Sequence, residues 1–284
     1  MTMQIRFAPL FSGSNGNSIL VEMGDTHVLI DAGVSGSRIV EALKTLGVAP
    51  GEISGILLTH EHSDHVQGAG ILSRKYDIPL YATRGTWALI RERMGRLSPS
   101  NIRELRAFQD FYIGDACVMP FPLPHDAAEP VGYSVSCSGR RVAVATDIGH
   151  IKGDWLEAVT GCDLVLLESN HDVGMLKAGR YPYELKRRIL GNFGHLSNDS
   201  AGQAAVKLAE SGVGQIVLGH LSGENNFPEL ALRTVWDELE REGFRLGVDV
   251  KLDVARRDAP NGVYTLSAED SRFARSEGEP FVWF

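Results

Sequence analysis

The stretch Thr59-His60-Glu61-His62-Ser63-Asp64-His65 decides how this chain reads. Three histidines and an aspartate fall within six residues, directly after the apolar run Ile53-Ser54-Gly55-Ile56-Leu57-Leu58. Such a run reads as a buried strand, and the loop at a strand's C-terminal end is where α/β folds place their chemistry. His60 and His62, at alternate positions, aim two imidazoles at one point; Asp64 and His65 turn toward a second point beside it. Imidazole with carboxylate suits zinc, iron or manganese. A solvated histidine-rich turn gives no reason for four ligand-type side chains behind a buried strand.

The same placement recurs along the chain. His125 follows Pro122-Leu123-Pro124 after a predicted strand, Asp147 closes Arg141-Val142-Ala143-Val144-Ala145-Thr146, and His220 closes Gln215-Ile216-Val217-Leu218-Gly219. In this order the motifs, over roughly residues 5 to 255, resemble those of the metallo-β-lactamase-fold hydrolase superfamily. The resemblance implies an α/β (α+β) fold, the αββα sandwich, in a single domain over residues 1–284. It also implies two divalent metal ions (Zn²⁺, Mn²⁺ or Fe²⁺). His60, His62 and His125 would hold one, Asp64, His65 and His220 the other, and Asp147 would bridge them. Two metals ~3.5–4 Å apart share a water and lower its pKa toward ~7, which makes a nucleophile for phosphorus or a carbonyl.

Ser12-Gly13-Ser14-Asn15-Gly16-Asn17-Ser18, Glu168-Ser169-Asn170-His171-Asp172 and Gly194-His195-Leu196-Ser197-Asn198 look like motifs of the YycJ/WalJ-type branch of that superfamily. Members of the branch are regarded as metal-dependent nucleases with 5′-to-3′ DNA exonuclease activity linked to mismatch repair. The expected enzyme is then a metal-dependent phosphodiesterase and the expected partner DNA. His195 suits protonation of a leaving oxygen, because an imidazole pKa lies near neutrality. His171 is the other candidate, and Asp64 is expected to serve the chemistry as well as a metal. Ser14, Asn15 and Asn17 are expected at the mouth of the site, where their loop offers backbone N–H groups to an anion, with Asn170 also on the substrate.

A net charge of −8 sits badly with a DNA substrate, since duplex binding rests on neutralised phosphates. The charge is uneven, however. Arg84, Arg91, Arg93, Arg96, Arg103 and Arg106 share a segment with only Glu92 and Glu104; Lys177, Arg180, Lys186, Arg187 and Arg188 share another with only Glu184. Arg91 and Arg187 are the expected substrate contacts, although each run also reads as a solvated helix face.

Cys117, Cys137 and Cys162 are widely spaced and contain no Cys-x-x-Cys pair, so free thiols are expected rather than a zinc ribbon or a disulfide framework. The start, Met1-Thr2-Met3-Gln4-Ile5-Arg6, lacks a signal peptide's apolar core, and no stretch has the apolar length of a membrane span. A cytoplasmic protein with no membrane partner is expected, which argues against a secreted lactamase. No Gly-x-Ser-x-Gly elbow supports a serine hydrolase. Three alternatives stand beside the nuclease: a small cyclic-phosphate phosphodiesterase, a thioester or lactam hydrolase of the same fold, and a non-catalytic metal-binding module. The net charge favours the first of these, the arginine-rich segments favour DNA, and the complete ligand set argues against the last.

Periodicity and turn signals predict strands at 4–10, 17–23, 26–31, 53–59, 79–82, 102–107, 116–121, 131–137, 141–146, 163–168, 215–219 and 248–254. Helices are predicted after an N-cap at Ser35, at 66–76, Arg84 to Met94, 153–159, Tyr183 to Leu190, from a cap at Asn198 or Asp199 to Ser211, and from Pro228 to Glu242. Taken alone this pattern shows only mixed α and β. The aromatic finish Phe281-Val282-Trp283-Phe284 is expected to dock on the body or on a partner.

Overall fold

The segments Leu164–Glu168 and Gln215–Gly219 carry no polar–apolar alternation, because a second sheet covers one of their faces and helices the other. The structure, a computed structural model, describes residues 4–260 and 262–267. The first sheet contains β1 (Gln4–Gly13), β2 (Gly16–Met23), β3 (Thr26–Ile30), β4 (Ile53–Leu57), β5 (Leu80–Thr83) and β6 (Ile102–Leu105). The second contains β7 (Phe111–Ile113), β8 (Ala116–Pro122), β9 (Val131–Cys137), β10 (Arg140–Ala145), β11 (Leu164–Glu168), β12 (Gln215–Gly219) and β13 (Lys251–Val254). The chain then returns to the first sheet as β14 (Tyr264–Ser267), giving the orders β14-β1-β2-β3-β4-β5-β6 and β13-β12-β11-β10-β9-β8-β7.

The helices are α1 (Gly36–Thr45), α2 (Ser63–Val66), α3 (Ala69–Tyr76), α4 (Arg84–Ile90), α5 (Asp154–Ala158), α6 (Val173–Ala178), α7 (Tyr183–Ile189), α8 (Asn198–Glu210) and α9 (Pro228–Arg241). Between the sheets lie Phe7, Ile19, Val21 and Val28 from one side and Val118, Val135, Leu164, Leu166 and Val217 from the other. The alternate residues Val165, Leu167, Ile216 and Leu218 face outward, where they meet Ala201, Ala205 and Leu208 of α8 and Val235 and Leu239 of α9. On the far side Leu20, Leu29 and Ile56 meet Ile39 and Leu43 of α1, Leu72 of α3 and Trp87 of α4. Four layers result, the expected αββα sandwich. Each Val, Leu, Ile or Phe side chain so withdrawn from water contributes about 1.5–3 kcal/mol before entropy is counted.

Three parallel pairings, β3–β4, β4–β5 and β5–β6, bring successive C-terminal strand ends to one edge of the first sheet, and β10–β11–β12–β13 do the same in the second. Gly33, just after β3, allows the two key loops to touch. A Cβ there would lie 1.6 Å from the Asp64 carbonyl oxygen, so only glycine lets this segment pass the metal-type loop.

Several elements differ from expectation in ways their chemistry explains. The helix expected at 66–76 is two pieces, α2 and α3, because Gly68 passes close under the Val34 carbonyl, where a Cβ would sit at 2.4 Å. The helix from Arg84 stops at Ile90 rather than Met94. Ser197, not Asn198 or Asp199, caps α8 by accepting from the Ser200 amide at 3.2 Å. Asn198 is instead buried and accepts from the Ser169 hydroxyl at 2.7 Å. Ser35 is the N-cap of α1, as expected, but it caps through its carbonyl, which accepts from the Arg38 and Ile39 amides, while its hydroxyl meets that of Ser37. The short elements β7, α6 and β14 were not expected. The three cysteines are free, with Cys137 and Cys162 buried. Among the described residues no helix is long and apolar enough to cross a membrane. Phe281 to Phe284 lie outside the described residues.

Candidate metal centre

Each ligand candidate leaves the end of a strand. β4 runs into the loop carrying His60, His62, Asp64 and His65, β8 runs into His125, β10 into Asp147, and β12 into His220. The structure brings all seven together. His60, His62 and His125 present ring nitrogens to a common point: His60 Nε2 and His62 Nδ1 are 3.0 Å apart, and His125 Nε2 is 3.4 Å from the same Nδ1. Asp64, His65 and His220 form a second group, with Asp64 Oδ2 at 3.4 Å from His65 Nε2. Asp147 faces both groups. Its Oδ1 lies 3.7 Å from His125 Nε2 and 3.4 Å from His220 Nε2, and its Oδ2 lies 3.3 Å from His65 Nε2.

The donor set fits divalent cations. Asp147 Oδ2 is buried and has no hydrogen-bond partner. Burial pushes the His60 and His125 imidazoles down, so they are neutral and their lone pairs free. Burial works against ionisation of Asp147, but the facing histidines, His220 and His65 first, outweigh it and hold the carboxyl well below the usual range. A buried anion ringed by imidazole nitrogens is the arrangement a cation stabilises.

The comparisons with known proteins agree with this geometry. A family model described as a beta-lactamase superfamily domain matches residues 26–221. The exodeoxyribonuclease YycJ of Bacillus anthracis is 39% identical over 246 residues, 86% of this chain and 93% of that protein. The exodeoxyribonuclease WalJ of Streptococcus pneumoniae is 36% identical over 249 residues, 87% and 93% respectively. The chain belongs to the YycJ/WalJ branch of the metallo-β-lactamase superfamily. Among solved structures the metallo-β-lactamase-fold protein YhfI of Bacillus subtilis superposes with a TM-score of 0.67 at 15% identity, covering 91% of this chain and 99% of that one, a likeness of fold.

Around this metallo-β-lactamase cluster lies a shell of orienting groups that the sequence reading missed. Asp31, fully buried at the end of β3, accepts from His65 Nδ1 at 2.7 Å and from the Thr59 amide at 2.8 Å. The Gly194 carbonyl accepts from His125 Nδ1 at 3.1 Å, and Asn17 Oδ1 from His220 Nδ1 at 3.2 Å. Each bond fixes one ring nitrogen as the donor and leaves Nε2 aimed into the cluster, the usual way a ligating histidine is set. Asp31, Asp147 and His220 all take left-handed backbone, with φ of 62°, 65° and 56°. That conformation costs an L residue roughly 1–2 kcal/mol and is held where function over-determines it.

His195 stacks on His220 at 5.4 Å between ring centroids, and its Nδ1 donates to Glu168 Oε1 at 2.7 Å. Glu168 is fully buried at the end of β11, where its Oε2 also accepts from the Ile148 amide at 2.7 Å and the Leu196 amide at 3.1 Å. Burial works against the His195 charge, but the Glu168 carboxylate outweighs it and raises the imidazole to about 9. His171 stands differently. It is buried, neither ring nitrogen has a partner, and burial lowers it to about 4. It joins none of the metal-type groups.

The other expected contacts divide. Ser14 and Asn15 are exposed and line a small cavity. Asn17 and Asn170 are buried behind it. Asn17 holds His220, while the Asn170 amide donates to the His220 carbonyl at 2.9 Å and the Ser14 hydroxyl at 3.1 Å. Arg91 and Arg187 are exposed, and Arg187 faces Glu184 and Tyr183 of its own helix. The arginines tied to the loops of the candidate ligands are their near neighbours. Arg93 donates to the Glu61 carbonyl at 2.9 Å, and Arg188 grips the Asp126 carboxylate with contacts of 2.5 and 3.0 Å.

Proposed function

We propose that this chain is a metal-dependent exodeoxyribonuclease of the cytoplasm that hydrolyses DNA phosphodiesters from the 5′ end, using two divalent ions of zinc, manganese or iron. The observation that carries the reading is Asp147, whose two oxygens face both halves of a seven-residue His/Asp cluster. The exodeoxyribonuclease relatives, matched over nearly their whole length, supply the substrate class. Ions held there would activate a water and offset the charge that develops at phosphorus.

The protein's own groups do the rest. Asp31, Asn17 and the Gly194 carbonyl lock three imidazoles, so the ligand nitrogens need no reorientation during turnover. Glu168 keeps His195 protonated and oriented, and the His195 side chain is 18% exposed, which leaves it open to an arriving substrate. His195 is therefore the group that gives a proton to the leaving 3′-oxygen, and His171, neutral and enclosed, supports the loop.

The purified chain, stripped with chelator and then reloaded with Mn²⁺ or Zn²⁺, tests the proposal on end-labelled duplex, single-stranded DNA, RNA and bis-p-nitrophenyl phosphate. The stripped protein is expected to be inactive and the reloaded protein to shorten DNA from its 5′ end. Cleavage of the small ester alone would put the cyclic-phosphate reading first.

The arginines give a second prediction. Replacing Arg93 and Arg188 together by Gln is expected to raise KM for long DNA about tenfold and to reduce the salt slope of binding by about 1–2, one phosphate contact apiece. Replacing Arg91 and Arg187 is expected to do less, since neither is tied to a ligand-bearing loop. Equal effects of the two pairs in a KM series at varied salt would place the track elsewhere.

A further inference from the structure

The hairpin tip Ser14-Asn15 and its neighbours enclose a cavity of about 180 Å³ that the hydrolytic chemistry does not use. Gly13, Gly16, Val34 and Leu221 form its walls, and Arg38 and Arg257 bring two guanidinium groups to it. Three connections tie these walls to the Asp64/His65/His220 half of the cluster. Leu221 directly follows His220 and bridges to Gly13. Asn170 binds the Ser14 hydroxyl and the His220 carbonyl with one amide nitrogen. Gly33, which precedes Val34, lies against the Asp64 backbone.

We propose that this cavity binds a second phosphate of the DNA strand, next to the phosphodiester being cut. The proposal rests on the nuclease reading and adds a subsite to it. Size selects a single anionic group, since pockets for whole drug-sized ligands run from about 300 Å³ upward. Charge selects the anion. Asp258, the one carboxylate of the lining, is 81% exposed and 4.0 Å from Arg38 Nη2, against two guanidinium groups. The Arg257 guanidinium is anchored by one donation to the Ser222 carbonyl at 2.9 Å, which leaves most of its five N–H groups for a ligand. Arg38 is stacked over the Phe11 ring at 4.6 Å and is already oriented before a ligand arrives. The planar fork of arginine matches phosphate oxygens in pairs.

The phosphate has two possible sources, an internal diester or a terminal 5′-monophosphate, and one experiment separates them. Wild type, Arg38→Gln, Arg38→Lys and Arg257→Gln are compared by fluorescence anisotropy with 3′-labelled single strands carrying a 5′-phosphate or a 5′-hydroxyl, in chelator so that no turnover occurs. Both Gln variants are expected to weaken binding at least fivefold and to lower the salt slope by about 0.7, the loss of one phosphate contact on a single strand. Arg38→Lys is expected to recover part of the affinity. A loss confined to the 5′-phosphorylated strand assigns the cavity to the terminus; an equal loss on both assigns it to an internal diester. Arg257 packs against Gly13, so its variant is read beside its melting temperature, and the half-exposed Arg38 gives the independent answer. Wild-type affinity in both Arg38 variants overturns the proposal. Binding that depends on Arg38 in a protein that cleaves no DNA when metal-loaded supports the cavity and overturns the nuclease reading instead.

Discussion

Asp147→Ala is expected to abolish hydrolysis of DNA and of bis-p-nitrophenyl phosphate alike, and to lower bound metal from about two ions per chain to one or none. The reason is geometric. No other carboxylate among the described residues faces His125, His220 and His65 at once. Alanine at φ 65° adds backbone strain of about 1–2 kcal/mol, so Asp147→Asn is the better-behaved companion. Asparagine tolerates left-handed backbone and keeps the shape, but it lacks the charge. Both variants are expected to lose more than the 10–100-fold typical of a residue that only orients a ligand. Asp31→Asn supplies that comparison, because Asp31 reaches the cluster through other residues, His65 directly and His60 by way of the Thr59 hydroxyl. Elemental analysis and both assays on the three proteins check the ranking. Normal metal content with full activity in both Asp147 variants would remove it from the centre.

The seven cluster residues were legible because each closes an apolar strand or opens the loop behind one, and a polar ligand type at such a place has few other uses. The same rule picks out Asp31 after Val28-Leu29-Ile30 and Glu168 after Leu164-Val165-Leu166-Leu167. A lone carboxylate at a strand end also reads as a turn, so the rule alone does not single them out. Only the fold shows that Asp31 meets His65 and Glu168 meets His195. The arginines differ in a way the sequence does not display. Successive residues on a helix point about 100° apart, so Arg187 and Arg188 look alike in sequence while only Arg188 reaches Asp126. Asn17 shares its loop with Ser14 and Asn15 in the sequence. The turn of the hairpin exposes those two and carries Asn17 inward. The strands β7 and β14 and the helix α6 span three to six residues, too short for a period to declare itself.

The sharpest test of the acid chemistry lies in the leaving group. His195→Ala is expected to slow DNA hydrolysis by on the order of 10²-fold or more, the usual scale for a lost general acid, with metal content unchanged. The 3′-oxygen of a sugar leaves poorly without a proton, whereas p-nitrophenolate leaves without one. Hydrolysis of bis-p-nitrophenyl phosphate is therefore expected to fall far less. Glu168→Gln separates position from packing. Glutamine keeps the buried shape, but it removes the charge that holds the His195 proton in place, so the loss should again be larger on DNA than on the activated ester. A purely structural Glu168 would depress both substrates equally, because the amides of Ile148 and Leu196 that it holds frame the loops of Asp147 and His195 together. Loss of metal in His195→Ala would make that residue a ligand, since it stands in one metal-type group with Asp147, Glu168 and His220. Unchanged DNA hydrolysis in His195→Ala would return the proton to solvent and leave Glu168 to hold only the loop.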